Sequence, residues 1–146
     1  MSVSALPEEK VDKSGPKPTY IYKLVPSSAP VPDVLPECLP VSEIDQNSGF
    51  VHLSTALQIP GTLKYFFADD TRVYVLRLKY DDLVESIRWE DPEAAVCGPR
   101  AGEGIFPHLY NGLKLGKDEI DSVAVWEKGE DEWDAALRKA ESWLVY

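Results

Sequence analysis

The stretch Arg72-Val73-Tyr74-Val75-Leu76-Arg77-Leu78 decides the reading of the fold. Its β-branched and aromatic residues, and its alternation through Val73, Val75 and Leu76 to Leu78, predict a strand. Upstream, Thr19 to Val25 (Thr-Tyr-Ile-Tyr-Lys-Leu-Val) predicts a first strand, closed by Pro26. The segment from Pro26 to Pro40 also holds Pro30, Pro32 and Pro36, so no long helix survives there and an extended or one-turn excursion is expected. Ser48-Gly49 marks a turn before a short second strand, Phe50 to Leu53. Ser54 or Thr55 then caps a helix running towards Phe67, with Leu57, Ile59, Leu63 and Phe66 as its apolar residues. Pro60-Gly61 is expected to bend or split that helix. Downstream, Leu83 to Trp89 predicts a turn and a short fourth strand, Asp91 to Gly104 a loop, Ile105 to Tyr110 a fifth strand and Ile120 to Trp126 a sixth. From Glu130, the spacing of Trp133, Ala136, Leu137, Ala140 and Trp143 predicts an amphipathic C-terminal helix packed on the sheet. About six short strands with helices set apart in sequence argue for an α+β fold. Neither a repeat nor a linker divides the chain, so residues 19–146 read as one domain behind a disordered polar tail, residues 1–18.

Composition bounds the functions available. The chain has 146 residues, 44% hydrophobic and 27% charged, enough for one sizeable core. Fifteen basic against 25 acidic residues give a net charge of −10. Most of the surface therefore repels phosphate backbones, which argues against a nonspecific nucleic-acid binder. From Asp118 onward the acids outnumber the bases further, which reads as a solvated helix face and acidic rim. No apolar run approaches the ~18 residues of a membrane helix. Cys38 and Cys97 do not make a disulfide scaffold. The first 18 residues lack the apolar stretch of a secretory signal and the acid-poor, Arg-rich character of a transit peptide, so a soluble cytoplasmic protein is expected.

The chemistry concentrates on two histidines. His52 lies in Phe50-Val51-His52-Leu53-Ser54-Thr55 and His108 in Ile105-Phe106-Pro107-His108-Leu109-Tyr110. Alternate residues of a strand share a face. Phe50, His52 and Ser54 therefore point one way, and Phe106, His108 and Tyr110 share a face in their own strand. An imidazole beside a hydroxyl suits recognition of a polar ligand, since each can donate or accept. The competing reading is a strand-end histidine satisfied by a backbone carbonyl. In Arg88-Trp89-Glu90, Arg88 and Glu90 share a face. Glu90 is a candidate to polarise a hydroxyl, with an exposed ion pair to Arg88 as the alternative. Arg100, in the glycine-bearing loop, is a candidate phosphate contact, although no Walker or dinucleotide glycine fingerprint is present. Three rivals have little support. Cys97 with His108 as a thiol nucleophile and its base rests on residue type alone. Zinc held by Cys38, His52, Cys97 and His108 lacks a closely spaced ligand pair. A Ser54 hydrolase lacks the nucleophile elbow. No metal is expected.

Tyr20-Ile21-Tyr22, Gly49-Phe50-Val51-His52-Leu53-Ser54-Thr55, Arg88-Trp89-Glu90 and Phe106-Pro107-His108-Leu109-Tyr110, with the strand Val73 to Leu78 between them, resemble the family catalogued as domain of unknown function 952. The resemblance runs over roughly residues 20–126, leaving the helix from Glu130 as an extension. It implies a small α+β domain, distantly similar to the ADP-ribosyltransferase superfamily, with a split or strongly curved mixed sheet holding NAD in a cleft. On that analogy His52 and Glu90 are the catalytic candidates. Ser54, Thr55, His108, Tyr110, Arg88, Arg100 and Tyr22 are the ligand-binding candidates, and NAD is the implied cofactor. The chain departs from the family's pattern at Lys23, where many relatives carry a histidine after Ile-Tyr, and in the proline-rich segment, where a helix is common. Three functions follow as expectations: an ADP-ribosyltransferase-like enzyme, a non-catalytic module binding a small molecule or nucleotide, or a protein–protein adaptor using its acidic surface and an exposed Trp133 or Trp143. The test that separates them is whether His52 and His108 come together.

Overall fold

A computed structural model describes residues 17–90, 96–97 and 105–146. The expected tail, the glycine-bearing loop and Arg100 fall wholly or mainly outside the described residues, as does the side chain of Cys97. In chain order the elements are β1 (Tyr20–Pro26), α1 (Glu43–Ser48), β2 (Val51–His52), α2 (Ile59–Phe66), β3 (Arg72–Lys79), a short helical segment α3 (Tyr80–Leu83) running into a 3-10 turn (Val84–Ser86), β4 (Ile87–Glu90), β5 (Val96–Cys97), β6 (Phe106–Leu109), β7 (Ile120–Glu127) and α4 (Asp134–Lys139).

The strands form two sheets, a three-stranded one in the order β1-β3-β7 and a four-stranded one in the order β2-β6-β4-β5. Every ladder among the described residues is antiparallel, so the expected mixed sheet is corrected. The sheets meet where Tyr22 and Ser54 exchange both backbone hydrogen bonds at 2.8 Å. β3 is the centre of its sheet, paired through Tyr20↔Lys79 to Pro26↔Val73 on one side and Arg72↔Glu127 to Leu78↔Ile120 on the other.

Alternation sorts β3 between two cores. Leu76 and Leu78 pack with Ile21, Val51, Leu53, Trp89, Leu109 and Ile120 between the sheets. Val73 and Val75 pack with Tyr22, Leu24, Ile59, Leu63, Trp126, Trp133, Ala136 and Ala140, under the two later helices. Full burial of a Leu or Val contributes roughly 1.5–3 kcal/mol, so these two layers hold the fold.

Three expectations about helices are corrected. The residues around Ser48-Gly49 are not merely a turn: Glu43–Ser48 is helical. Ser42 caps it by accepting the Asp45 amide, and Gly49 ends it at φ 84° with its N–H on the Asp45 carbonyl. The helix after β2 starts at Ile59, not at Ser54 or Thr55, with Pro60 in its first turn. A proline there costs no hydrogen bond, so it starts the helix instead of bending it. Leu57 and Phe66 are 68% and 74% exposed, leaving Ile59 and Leu63 as the core contacts. The C-terminal helix is confirmed but begins at Asp134, because Gly129 to Glu132 closes a turn with Glu132 at φ 64°. Trp133 is buried at 4% and Trp143 packs on Tyr22, so Trp133 offers no exposed adaptor surface.

Candidate functional site

The outer face of the four-stranded sheet is built from β2, β6 and β4. His52 stands directly opposite His108, and His108 directly opposite Arg88, giving one row across three strands. Val51, Leu109 and Trp89 point the other way, into the core. Alternation therefore leaves the polar residues no option but this face. The imidazole ring centroids are 5.2 Å apart. Phe50 lies against both rings, stacked on His108 at 4.2 Å and tilted on His52 at 4.6 Å, with the Tyr110 ring at 4.9 Å.

Each imidazole has its own carboxylate. His52 Nδ1 is 2.6 Å from Asp45 Oδ1, and His108 Nδ1 is 2.7 Å from Glu90 Oε1. The two carboxylates are each about 4% exposed, against 35% for the His52 side chain and 12% for His108. Asp45 also accepts the His52 amide at 3.3 Å and Lys23 Nζ at 2.9 Å. Glu90 Oε1 accepts the Tyr110 hydroxyl at 2.7 Å, and the Arg88 guanidinium lies 4.2 Å over the Tyr110 ring. Burial works to raise the pKa of both carboxyls. Hydrogen bonds from His52 and charge from Lys23 outweigh it at Asp45, and bonds from His108 and Tyr110 outweigh it at Glu90, so both end below the usual carboxylate values. Burial pushes the His108 imidazole below its ordinary value; the charge of His52 adds to this, and the bond to Glu90 opposes it.

The two ionised carboxylates hold each Nδ1 as a donor, so Nε2 is the atom each ring has left for other chemistry. Among the described residues each Nδ1 meets a carboxylate and neither ring meets a backbone carbonyl, against the competing reading.

The sequence candidates divide. His52, His108, Arg88, Glu90 and Tyr110 come together. Tyr22 lies fully buried in the second core, its hydroxyl accepting the Val145 amide at 2.8 Å and facing the Trp143 carbonyl. Ser54 is buried and pairs with Thr62 Oγ1 at 3.2 Å, and Thr55 is 0% exposed. These three are placed away from the imidazole row because Ser54 belongs to the junction between the sheets and Thr55 to the turn entering α2. Arg88 and Glu90 do not form the ion pair with each other that was the alternative reading; Glu90 bonds His108 and Tyr110.

Asp45 and Lys23 were missed. The signal for Asp45 was present: Ser42 three residues ahead of an acid and Gly49 after it spell a capped helix. Lys23 was visible as the charged residue on the strand face shared by Ile21 and Val25. Among the described residues no group of three or more His, Cys, Asp or Glu is placed to hold a metal. A separate surface depression of about 300 Å³, lined by Ser27, Thr71, Arg72, Glu127 and Lys128, lies on the other sheet. Its charges are paired, Arg72 with Glu127 at 2.9 Å and Lys128 with Glu132 at 3.7 Å.

Fold and site define a small α+β domain of two antiparallel sheets with a histidine–carboxylate cluster on one of them. The family described as "Protein of unknown function (DUF952)" matches residues 36–123, more than half of the chain, and the chain belongs to that family. The match includes the motifs around His52, Arg88 and His108 but not Tyr20 to Tyr22, so it is shorter than the span over which the resemblance was drawn. The crystal structure of protein CC0527 from Caulobacter crescentus is similar at 24% identity, covering 79% of this chain and 92% of that one with a TM-score of 0.58. The solution NMR structure of the same protein is similar at 22% identity, covering 83% and 96% with a TM-score of 0.57. A comparison with curated proteins gives no match. Among the described residues no helix is long and apolar enough to cross a membrane.

Proposed function

We propose that the imidazole face binds a small polar ligand of the nucleotide class and supplies acid–base chemistry to it through His52 and His108. One observation carries the reading: two imidazoles 5.2 Å apart, each with Nδ1 on a different buried carboxylate. A fold needs no such pair for stability, because burying ionised groups against imidazoles costs desolvation that apolar packing avoids. A catalytic or binding site does need it, because the carboxylate fixes the tautomer and aims Nε2.

NAD is the first member of the class to test, since the similarity to ADP-ribosyltransferases implies it. Two features favour imidazole acid–base chemistry over ADP-ribosyl transfer. Glu90, the residue that the analogy makes a ribose-polarising acid, uses Oε1 on His108 and Tyr110. Lys23 stands where many relatives carry histidine and is tied to Asp45.

The experiment is a thermal-shift panel of nucleotides, NAD included, on the native chain and on His52→Asn with His108→Asn. Asparagine places its amide nitrogen near the lost Nδ1, so the carboxylates keep a donor while both Nε2 atoms are removed. A nucleotide at 100 times its Kd stabilises the native protein by about 2.7 kcal/mol. The shift should appear in the native chain and vanish in the double variant. Equal shifts in both, or none in the native chain, would reject the site. Release of nicotinamide from NAD, followed chromatographically, tests the transferase arm separately.

A further inference from the structure

We propose that His52 and His108 form a metal-independent phosphodiester-cleaving pair, with His108 Nε2 as general base and His52 Nε2–H as general acid. The proposal rests on the reading of this face as a ligand site and adds the reaction and the substrate class.

Nucleophiles are eliminated first. Among the described residues Ser54 is buried and bonded to Thr62, and Thr55 is sealed at 0% exposure. Asp45 and Glu90 are about 4% exposed and each is committed to an imidazole. The Tyr110 hydroxyl is spent on Glu90 at 2.7 Å. Among the described residues no side chain on the face is left to attack and form a covalent intermediate, so the attacking group is taken to be water or a hydroxyl of the substrate. That chemistry needs one base and one acid flanking a single electrophile, which is what two adjacent imidazoles offer.

The environments assign the roles. His108 is 12% exposed and stacked flat against Phe50 at 4.2 Å, so low dielectric favours its neutral form. His52 is the more open ring, 35% exposed, and lies 2.6 Å from Asp45 Oδ1, so the acid role is assigned to it. At 5.2 Å the two cannot comfortably both be protonated, and one proton belongs to the pair. Groups whose surroundings separate them in this way mark an acid and a base.

Charge selects the phosphoryl group. Lys23 and Arg88 balance Asp45 and Glu90, so the four sum to zero, and the single shared proton makes the face positive. The chain carries −10 in total, to which these four residues contribute nothing. This face is therefore a region of an acidic protein where an anion is not repelled. Arg88 is exposed, directly across from His108, and carries a fork of donors matched to phosphate oxygens.

In the step, His108 Nε2 takes the proton from the attacking O–H while the new O–P bond forms. The P–O bond to the leaving oxygen breaks, and His52 Nε2–H protonates that oxygen. The products are a monoester and an alcohol (or, for internal attack, a cyclic diester and an alcohol), and solvent returns the proton from His108 to His52. No oxidant, metal or cofactor enters the balance.

The test uses the full chain with EDTA present and two probes, a 2′,3′-cyclic nucleoside monophosphate and bis(4-nitrophenyl) phosphate. Turnover is expected with a bell-shaped pH profile. His108 faces Glu90 and Arg88 from β4, His52 from β2 and Tyr110, with Asp45 of α1 and Lys23 of β1 behind His52. The acidic limb reports His108 gaining its proton and should disappear in His108→Asn. The alkaline limb should disappear in His52→Asn. Each variant should lower kcat/KM by roughly 10²–10⁴-fold. Arg88→Met should lower kcat/KM, since its guanidinium meets the phosphoryl oxygens where charge develops. Turnover that EDTA removes, or that survives the double Asn variant, overturns the proposal. So does an absence of turnover; if nucleotides still shift the melting point, the site reading stands and only the reaction is rejected. Circular dichroism on each variant separates loss of chemistry from loss of fold.

Discussion

Glu90→Gln keeps the size of the side chain and one acceptor oxygen while removing the charge. In the native domain Glu90 Oε1 receives the His108 Nδ1–H and the Tyr110 O–H, both at 2.7 Å, on a side chain 4% exposed. Hydrogen bonds to an ionised group contribute about 1.5–3 kcal/mol each, against about 1 for a neutral pair. Two bonds downgraded together should cost about 1–3 kcal/mol. In a domain of this size that corresponds to a fall in Tm of roughly 3–10 °C. Because Glu90 sits below the usual carboxylate range, its contribution is present above the unfolded value of about 4.3 and is lost as pH falls through the folded one. The two proteins should therefore converge in strong acid. The variant should also move His108. Burial, with the charge of His52, holds its imidazole below the ordinary value against the opposing pull of Glu90, so removing the carboxylate lowers it further. Urea denaturation at neutral pH and an NMR titration of the imidazole protons read both effects. A His108 that titrates higher in the variant, or a stability difference that persists unchanged into acid, would refute the argument that an ionised Glu90 holds the ring.

Three other outcomes are expected. Native stability should fall as pH drops below about 6.5, because the depressed His108 binds its proton more tightly in the unfolded chain; His108→Asn should flatten the curve there, and an unchanged slope would contradict the assignment. Gly116→Ala should destabilise by about 3 kcal/mol in denaturant titrations, near the top of the overpacking range, because a Cβ would lie 1.9 Å from the Glu37 carbonyl oxygen and only the backbone could yield. Tyr22→Phe should cost about 0.5–1.5 kcal/mol by removing the acceptor, at 2.8 Å, of the Val145 amide, while nucleotide shifts stay the same; loss of ligand response would return Tyr22 to the site.

Much of the site was legible because strands report their faces by alternation. The grouping of Phe50 with His52, of Phe106 with His108 and Tyr110, and of Arg88 with Glu90 needs only a period of two. Ser54 obeyed the same count but left the sheet's edge to bridge Tyr22, so its hydroxyl turned to Thr62. Asp45 was hidden in a six-residue helix whose length falls below what periodicity can detect. The start of α2 was misread because Pro60 serves equally as breaker and as first-turn residue, and only packing of Ile59 and Leu63 chooses between them.

The sequence by itself determined that the chain is α+β, that the stretch around Val75 is a strand, and that each histidine shares its strand face with an aromatic ring. These are local properties, set by residue type and the period of the backbone. Which residues would meet was decided only in three dimensions. Register placed His52 opposite His108 and His108 opposite Arg88, and the junction at Tyr22 and Ser54 carried Lys23 to Asp45. Pairing between strands separated by more than 50 residues depends on the shape of the cores beneath them, and no local pattern encodes that.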